Sequence, residues 1–311
     1  TRRRRQRQMC IRDSNKAVDL EDISGVEITN DGTIETEDGT NKQIAINAES
    51  SLNTTITNNG TINSDNKYGV ILNYAENVVI TNNAGATISA DGNTAIYGKN
   101  VGNCHFNGTN CHSDLSGQSN GVGLTLHNHG TITSQHETVW LGSGSSGAHR
   151  SKGIKIYNYD GGIIKTTDEG DSPIKGFHLV DFEFINYQGG TIEGDDRHAV
   201  NTEQSEDINF TNHGTITATD KSAFYCKTCS DVTFNNTGTM TSGNNAVVIS
   251  AGDNISITNS GTITATTDNS GLNISSSDGT VVTNTGTISG VDHGMQSSNV
   301  DNSTITNHGT I

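Results

Sequence analysis

One proline and one tryptophan in 311 residues, with 5% aromatic and 30% hydrophobic side chains, leave this chain little material for a thick core. No apolar run approaches the length needed to span a membrane as a helix. Basic residues are scarce once the first segment is set aside. Six of the 18 Lys and Arg and one of the 34 Asp and Glu fall within residues 1–14, which leaves 12 against 33 and a net charge of −21. Such a surface is expected to be soluble and poor at holding nucleic acid. What the chain does have is 36 glycines and many Asn and Thr, which suits a narrow core with polar outer faces. Regularly spaced apolar positions argue against disorder.

Those positions belong to a repeat. Ile257-Thr258-Asn259-Ser260-Gly261-Thr262-Ile263 returns at residues 28–34, 56–62, 126–132, 210–216, 234–240, 282–288 and 305–311, and with two extra residues at the turn at 80–88, 156–164 and 184–192. Its asparagine stands at Asn30, Asn58, Asn82, Asn128, Asn158, Asn186, Asn212, Asn236, Asn259, Asn284 and Asn307. All but one of the intervals run from 23 to 30 residues; the exception, 46, reads as two periods with an eroded copy at Phe106-Asn107-Gly108. A period of this size marks a solenoid, so one elongated domain replaces the two that the length would suggest.

Alternation such as Ile255-x-Ile257-x-Asn259 describes one face of a strand. Gly is then expected to turn the chain through a conformation other residues resist, and Thr-Ile begins a second strand. A third apolar run follows, as in Val70–Leu72 or Val139–Leu141. The reading is all-β: a single-stranded parallel β-helix (solenoid), about three strands per coil and roughly twelve coils. The repeated Asn falls on the inward phase, where each amide can bond to its counterparts one coil above and below. A buried amide without such partners costs roughly 1–3 kcal/mol.

The ends differ from the middle. Residues 1–14 are basic, lack the repeat, and resemble translated sequencing adapter, so they are expected to be a non-native leader; residues 15–311 form the repeat domain, which stops inside a repeat and reads as a fragment with an open C-terminal end. Among the five cysteines, Cys104-His105 and Cys111-His112 match no zinc-finger or ribbon spacing, and a local disulfide between Cys104 and Cys111 is the preferred reading. Cys226-Lys-Thr-Cys229 lies beside a strand, with no helix to activate a thiol. Two close pairs fit an oxidising compartment.

Over residues 20–311 the Ile-Thr-Asn-x-Gly-Thr-Ile copies resemble the passenger region of bacterial autotransporters, of the pertactin-like and adhesin types. The resemblance implies a right-handed parallel β-helix carried through the outer membrane of a Gram-negative bacterium by a C-terminal translocator barrel, then displayed at the surface or secreted. Filamentous-haemagglutinin-type exoproteins, exported by a separate partner barrel, stand close behind. Neither barrel nor signal peptide is in this sequence.

Parallel β-helices also include polysaccharide hydrolases and lyases, which makes a carbohydrate-active enzyme the alternative. Asp195-Asp196-Arg197-His198 and several His-Gly pairs touch the polygalacturonase pattern, but its Asn-Thr-Asp and Arg-Ile-Lys elements are missing. Adjacent Asp195 and Asp196 point to opposite faces of an extended segment, unsuited to flanking one bond. Asp160, Asp168, Glu169 and Asp171 are hard oxygen ligands of the kind calcium takes, yet the glycine-rich calcium repeat is absent. Gly170-Asp-Ser-Pro173 shares only four residues with secreted serine proteases. No catalytic residue, cofactor or metal site is assigned.

A surface pattern emerges when coils are stacked. Residues flanking the ladder Asn face outward, and on four consecutive coils they become His127/His129, Tyr157/Tyr159, Ile185/Tyr187 and Thr211/His213. Such a stripe stabilises parallel strands and also suits docking of a partner. Long insertions at residues 97–121 and 140–153 lie on the same coils, with Trp140 at the base of the second as a candidate core residue. Residues 97–213 are therefore the candidate binding region. The expected function is a non-catalytic stalk acting in adhesion, toward a host-surface glycan or protein, or in self-association.

Overall fold

The computed structural model describes residues 16–36, 43–102, 105–106, 111–112, 122–142, 150–167 and 171–311. The leader 1–14 and the Cys104–Cys111 pairing fall outside the described residues. What is described is all-β, without a helix, and forms a parallel β-solenoid of about ten turns. A representative coil comprises Leu52–Asn58, Thr61–Ser64 and Tyr68–Ile71. Its first strand alternates as the pattern requires: Thr54, Ile56 and Asn58 are buried, while Asn53, Thr55 and Thr57 face outward.

First and third strands of successive coils join in one 22-stranded sheet, and second strands form a ten-stranded sheet. Equivalent positions pair coil to coil, so that Ile56 lies over Ile80, Ile80 over Leu126, and Ile156 over Phe184. The inward residues thereby make a continuous apolar column. In its middle Phe184, Phe210 and Phe234 stack at 5.0 Å intervals. Each such side chain is fully buried, which stabilises the fold by about 1.5–3 kcal/mol.

Beside that column runs one of amides. Asn30 Nδ2 donates to Asn58 Oδ1 at 2.8 Å, Asn58 to Asn82 at 2.9 Å, Asn82 to Asn128 at 2.9 Å and Asn128 to Asn158 at 2.8 Å. Asn158 continues to Asn186, Asn186 to Asn212, Asn212 to Asn236, Asn236 to Asn259, Asn259 to Asn284 and Asn284 to Asn307, all within 2.8–2.9 Å. The same nitrogen also meets backbone carbonyls, such as Gly60 O at 3.1 Å and Thr87 O at 2.9 Å for Asn58. The oxygens of Asn30, Asn58 and Asn307 accept in addition from the glycine two residues on, as from Gly60 N–H at 3.3 Å for Asn58. Donors and acceptor of a buried amide are thus engaged together.

Two expectations need correction. The motif glycine was expected to be required for a left-handed backbone. Gly238 has no positive φ; instead a Cβ built on it would lie 2.2 Å from the carbonyl oxygen of Gly214 directly beneath. Close stacking of turns excludes the side chain, whatever the torsion. The 46-residue interval does not hold an eroded coil either. Asn82 bonds directly to Asn128 and Val78 pairs with Leu124, so no coil intervenes. Within that interval His105–Phe106 pairs antiparallel with Cys111–His112, not parallel as a coil would.

Left-handed residues do occur, at the corner between third and first strands. Ser50/Asn53, Tyr74/Asn77, His178/Asp181, Gln204/Asp207, Thr228/Asp231, Ala251/Asn254 and Asn299/Asn302 all have φ between 47° and 57°. The second of each pair is Asn or Asp, the non-glycine types that tolerate this region best. It stands five positions before the ladder Asn, where Gly153 and Gly279 take its place. Across the Thr228 corner Cys226 and Cys229 are joined by a disulfide, both sulfurs in the buried core.

Asn236→Ala is expected to remove two ladder bonds, the one accepted from Asn212 and the one donated to Asn259, destabilising the chain by about 2–4 kcal/mol. Asn307→Ala, at an exposed position that takes part in a single ladder bond, should cost clearly less. Urea unfolding of both variants checks the difference.

Candidate functional site

The outward phase of the first strand places the stripe residues in two columns. His127, Tyr157, Ile185 and Thr211 precede the ladder Asn and pair in register. His129, Tyr159, Tyr187 and His213 follow it. In the second column His129 stacks on Tyr159 at 4.2 Å with planes 5° apart, and Tyr159 on Tyr187 at 4.8 Å with planes 7° apart. His213 stands farther off, 6.4 Å from Tyr187 and tilted. In the first column His127 lies 5.3 Å from Tyr157, and its Nδ1 is 3.0 Å from the Tyr159 hydroxyl, which ties the two columns together.

This geometry fixes what the row presents. Rings spaced at the coil repeat cover one another's faces, so the row presents chiefly ring edges. Several of its polar atoms are already engaged within the protein: His127 Nδ1 with the Tyr159 hydroxyl and His213 Nδ1 with Thr237 Oγ1 at 2.6 Å. Burial pushes the Tyr157 hydroxyl up to about 12, helped by the carboxylate of Glu183, so it stays a neutral donor. Tyr159 is shifted upward in the same sense by burial and by Tyr187. His127 is held below the ordinary imidazole range by burial and by neighbouring His129.

A second aromatic stack lies on the third strands, and the sequence reading missed it. Tyr68 stacks on Tyr97 at 4.4 Å, and Tyr97 on Trp140 at 4.8 Å with planes 14° apart. Trp140 is thus an outward residue, not a core one: Val139 and Leu141 take the inward phase on either side of it. Lys67 sits 4.5 Å above the Tyr68 ring and Lys99 5.7 Å from that of Tyr97. Lys175, in register after Trp140, bonds Glu137 at 2.8 Å. Consecutive Tyr97 and Trp140 at matching third-strand positions were the available signal.

The other candidates fare differently. Asp195 is exposed at a corner and Asp196 half-buried. His198 packs on Tyr225 at 4.1 Å, and its Nδ1 accepts the Ser222 N–H at 3.2 Å. Burial, with smaller contributions from Lys221 and Arg197, lowers its pKa to about 4. Asp171 pairs with His136 at 2.8 Å, while Asp168 and Glu169 lie outside the described residues. Among the described residues no three His, Cys, Asp or Glu are grouped to hold a metal ion.

His198 generates a pH prediction. Its folded pKa lies below the unfolded value of about 6.5, so the unfolded chain takes up the proton first. The stability it contributes is full above pH ~6.5 and is lost as pH falls toward about 4. His198→Phe keeps a ring against Tyr225 and removes this titration. Relative to the variant, the parent should lose on the order of 2 kcal/mol across that window in urea unfolding.

No protein-family model, curated protein or solved structure matches the chain.

Proposed function

We propose that the chain is the β-helical passenger of an autotransporter-like system, a surface-displayed or secreted stalk acting in adhesion or self-association without catalysis. The observation that carries this reading is the coincidence, on neighbouring coils of a rigid solenoid, of two long insertions and the row His129–Tyr159–Tyr187. A scaffold that repeats itself with such regularity supplies reach and rigidity, and departs from regularity where recognition would sit.

Further support comes from the buried Cys226–Cys229 disulfide, a bond that persists in exported proteins and rarely in reducing compartments. An acidic surface keeps a long exported rod soluble. The hydrolase or lyase alternative gains nothing at Asp195–His198, where the imidazole is spent on Tyr225 and Ser222. Export itself would depend on a translocator barrel in the outer membrane.

The test uses the recombinant chain against cultured host cells, glycans and itself. The parent is expected to attach to at least one, and Tyr159→Ser/Tyr187→Ser to lose most of that attachment while retaining its β-sheet circular dichroism. Indifference of the parent to all three would overturn the adhesive reading.

A further inference from the structure

We propose that His127 and His129 form a two-imidazole site for a divalent ion of the copper, nickel and zinc series. The pair lies on the first-strand row, but its readout is the metal itself, so it stands or falls apart from the adhesive reading.

Backbone placement is the first support. His127 and His129 flank Asn128, whose buried side chain is bonded to the ladder amides of both neighbouring coils. Residues two apart on a strand share one face, so both imidazoles project outward from a segment held in register. One coil on, Tyr157 and Tyr159 stand in the same relation, with ring centroids 6.4 Å apart. Imidazoles at a spacing of that order can share one ion through metal–nitrogen bonds of about 2.0–2.1 Å.

The second is which nitrogens are free. His136 Nδ1 is spent on Asp171 and His213 Nδ1 on Thr237. His129 has no hydrogen bond to either ring nitrogen among the described residues. His127 has one, between Nδ1 and the Tyr159 hydroxyl at 3.0 Å. In the tautomer that carries its proton on Nδ1, His127 donates to that hydroxyl and keeps the Nε2 lone pair for a ligand. Metal-bound histidines are oriented in this manner by a partner on their other nitrogen.

Donor chemistry selects the ion. Imidazole suits zinc, copper and nickel, whereas calcium and magnesium take oxygen ligands. Among the described residues no third His, Cys, Asp or Glu joins the pair, so the remaining positions of the ion go to water or to a donor from outside the chain.

The test is calorimetric titration of the whole chain with copper(II), nickel(II) and zinc(II), after alkylation of accessible thiols so that free cysteines do not compete. Binding of at least one ion is expected, and an ion that binds alone of the three names the metal. His127→Phe and His129→Phe each keep a ring in the row and remove its nitrogens; each should weaken the site by about a hundredfold or abolish it, more than loss of an outer partner does. Tyr159→Phe removes only the hydroxyl and should weaken it about tenfold. His308→Ala, far along the rod, should change nothing. Copper(II) at the site should show two coupled imidazole nitrogens by electron paramagnetic resonance in the parent and one at most in either phenylalanine variant. A chain that binds none of the three ions, or heats and spectra unaltered in both phenylalanine variants, would overturn the site. Loss of the site in those variants supports it whether or not the parent attaches to cells, so failure of the adhesive reading is read separately.

Discussion

A buried primary amide has two N–H donors and a carbonyl oxygen to satisfy, and here it does so with backbone carbonyls of the neighbouring turn and with another amide one coil away. That constraint organises the molecule. For Asn58 to meet both Asn30 and Asn82, the three coils must share one register, whatever the length of chain between them. Intervals of 23 to 46 residues between ladder positions all return to the same 2.8–2.9 Å bond. The apolar column alone would tolerate a slip by two residues, since Ile, Leu, Val and Phe exchange places along it; the amide column would not. Apolar burial holds the rod together, while the asparagines decide which residue stacks on which.

Much of this is legible in the sequence because a solenoid writes its geometry in one dimension. Alternation gives the inward phase, the period gives the coil, and the recurring polar residue on an apolar phase gives the ladder. What escaped the reading has a common physical origin. The antiparallel pairing of His105–Phe106 with Cys111–His112 stands where counting by periods puts a worn coil, because register constrains only the two ladder positions and not the length of chain between them. Gly238 was assigned a torsional role because a sequence shows a glycine but not the carbonyl beneath it. The left-handed corners were missed because their residue varies among Asn, Asp and Gly, three types united by backbone tolerance rather than by side-chain chemistry.

The two aromatic stacks show how one repeat yields different surfaces. Both put rings at the coil spacing on outward positions, and both must stabilise neighbouring strands by roughly 0.5–1.5 kcal/mol per pair. They differ in how they are flanked. The first-strand row runs from one imidazole to another, with Tyr159 also tied to His127, so its polar edges face outward. The third-strand stack is bordered by lysines and closes on an indole. Flanking chemistry, not ring content, separates a hydrogen-bonding edge from a charged platform.

Neither surface needs the backbone to rearrange, and this follows again from the ladder. In a stack of coils each contact is with the nearest neighbours, so the freedom of any outward side chain is bounded by the register beneath it. Substitution on the outward phase changes the surface while leaving the inward columns intact; substitution on the inward phase loosens the register and displaces the outward residues of that coil. A rod built this way can vary its surface coil by coil, provided that the amide at each corner is retained. The aromatic rows are variation of that permitted kind, confined to outward positions, while Asn82, Asn128, Asn158 and Asn186 pass unchanged through the same coils.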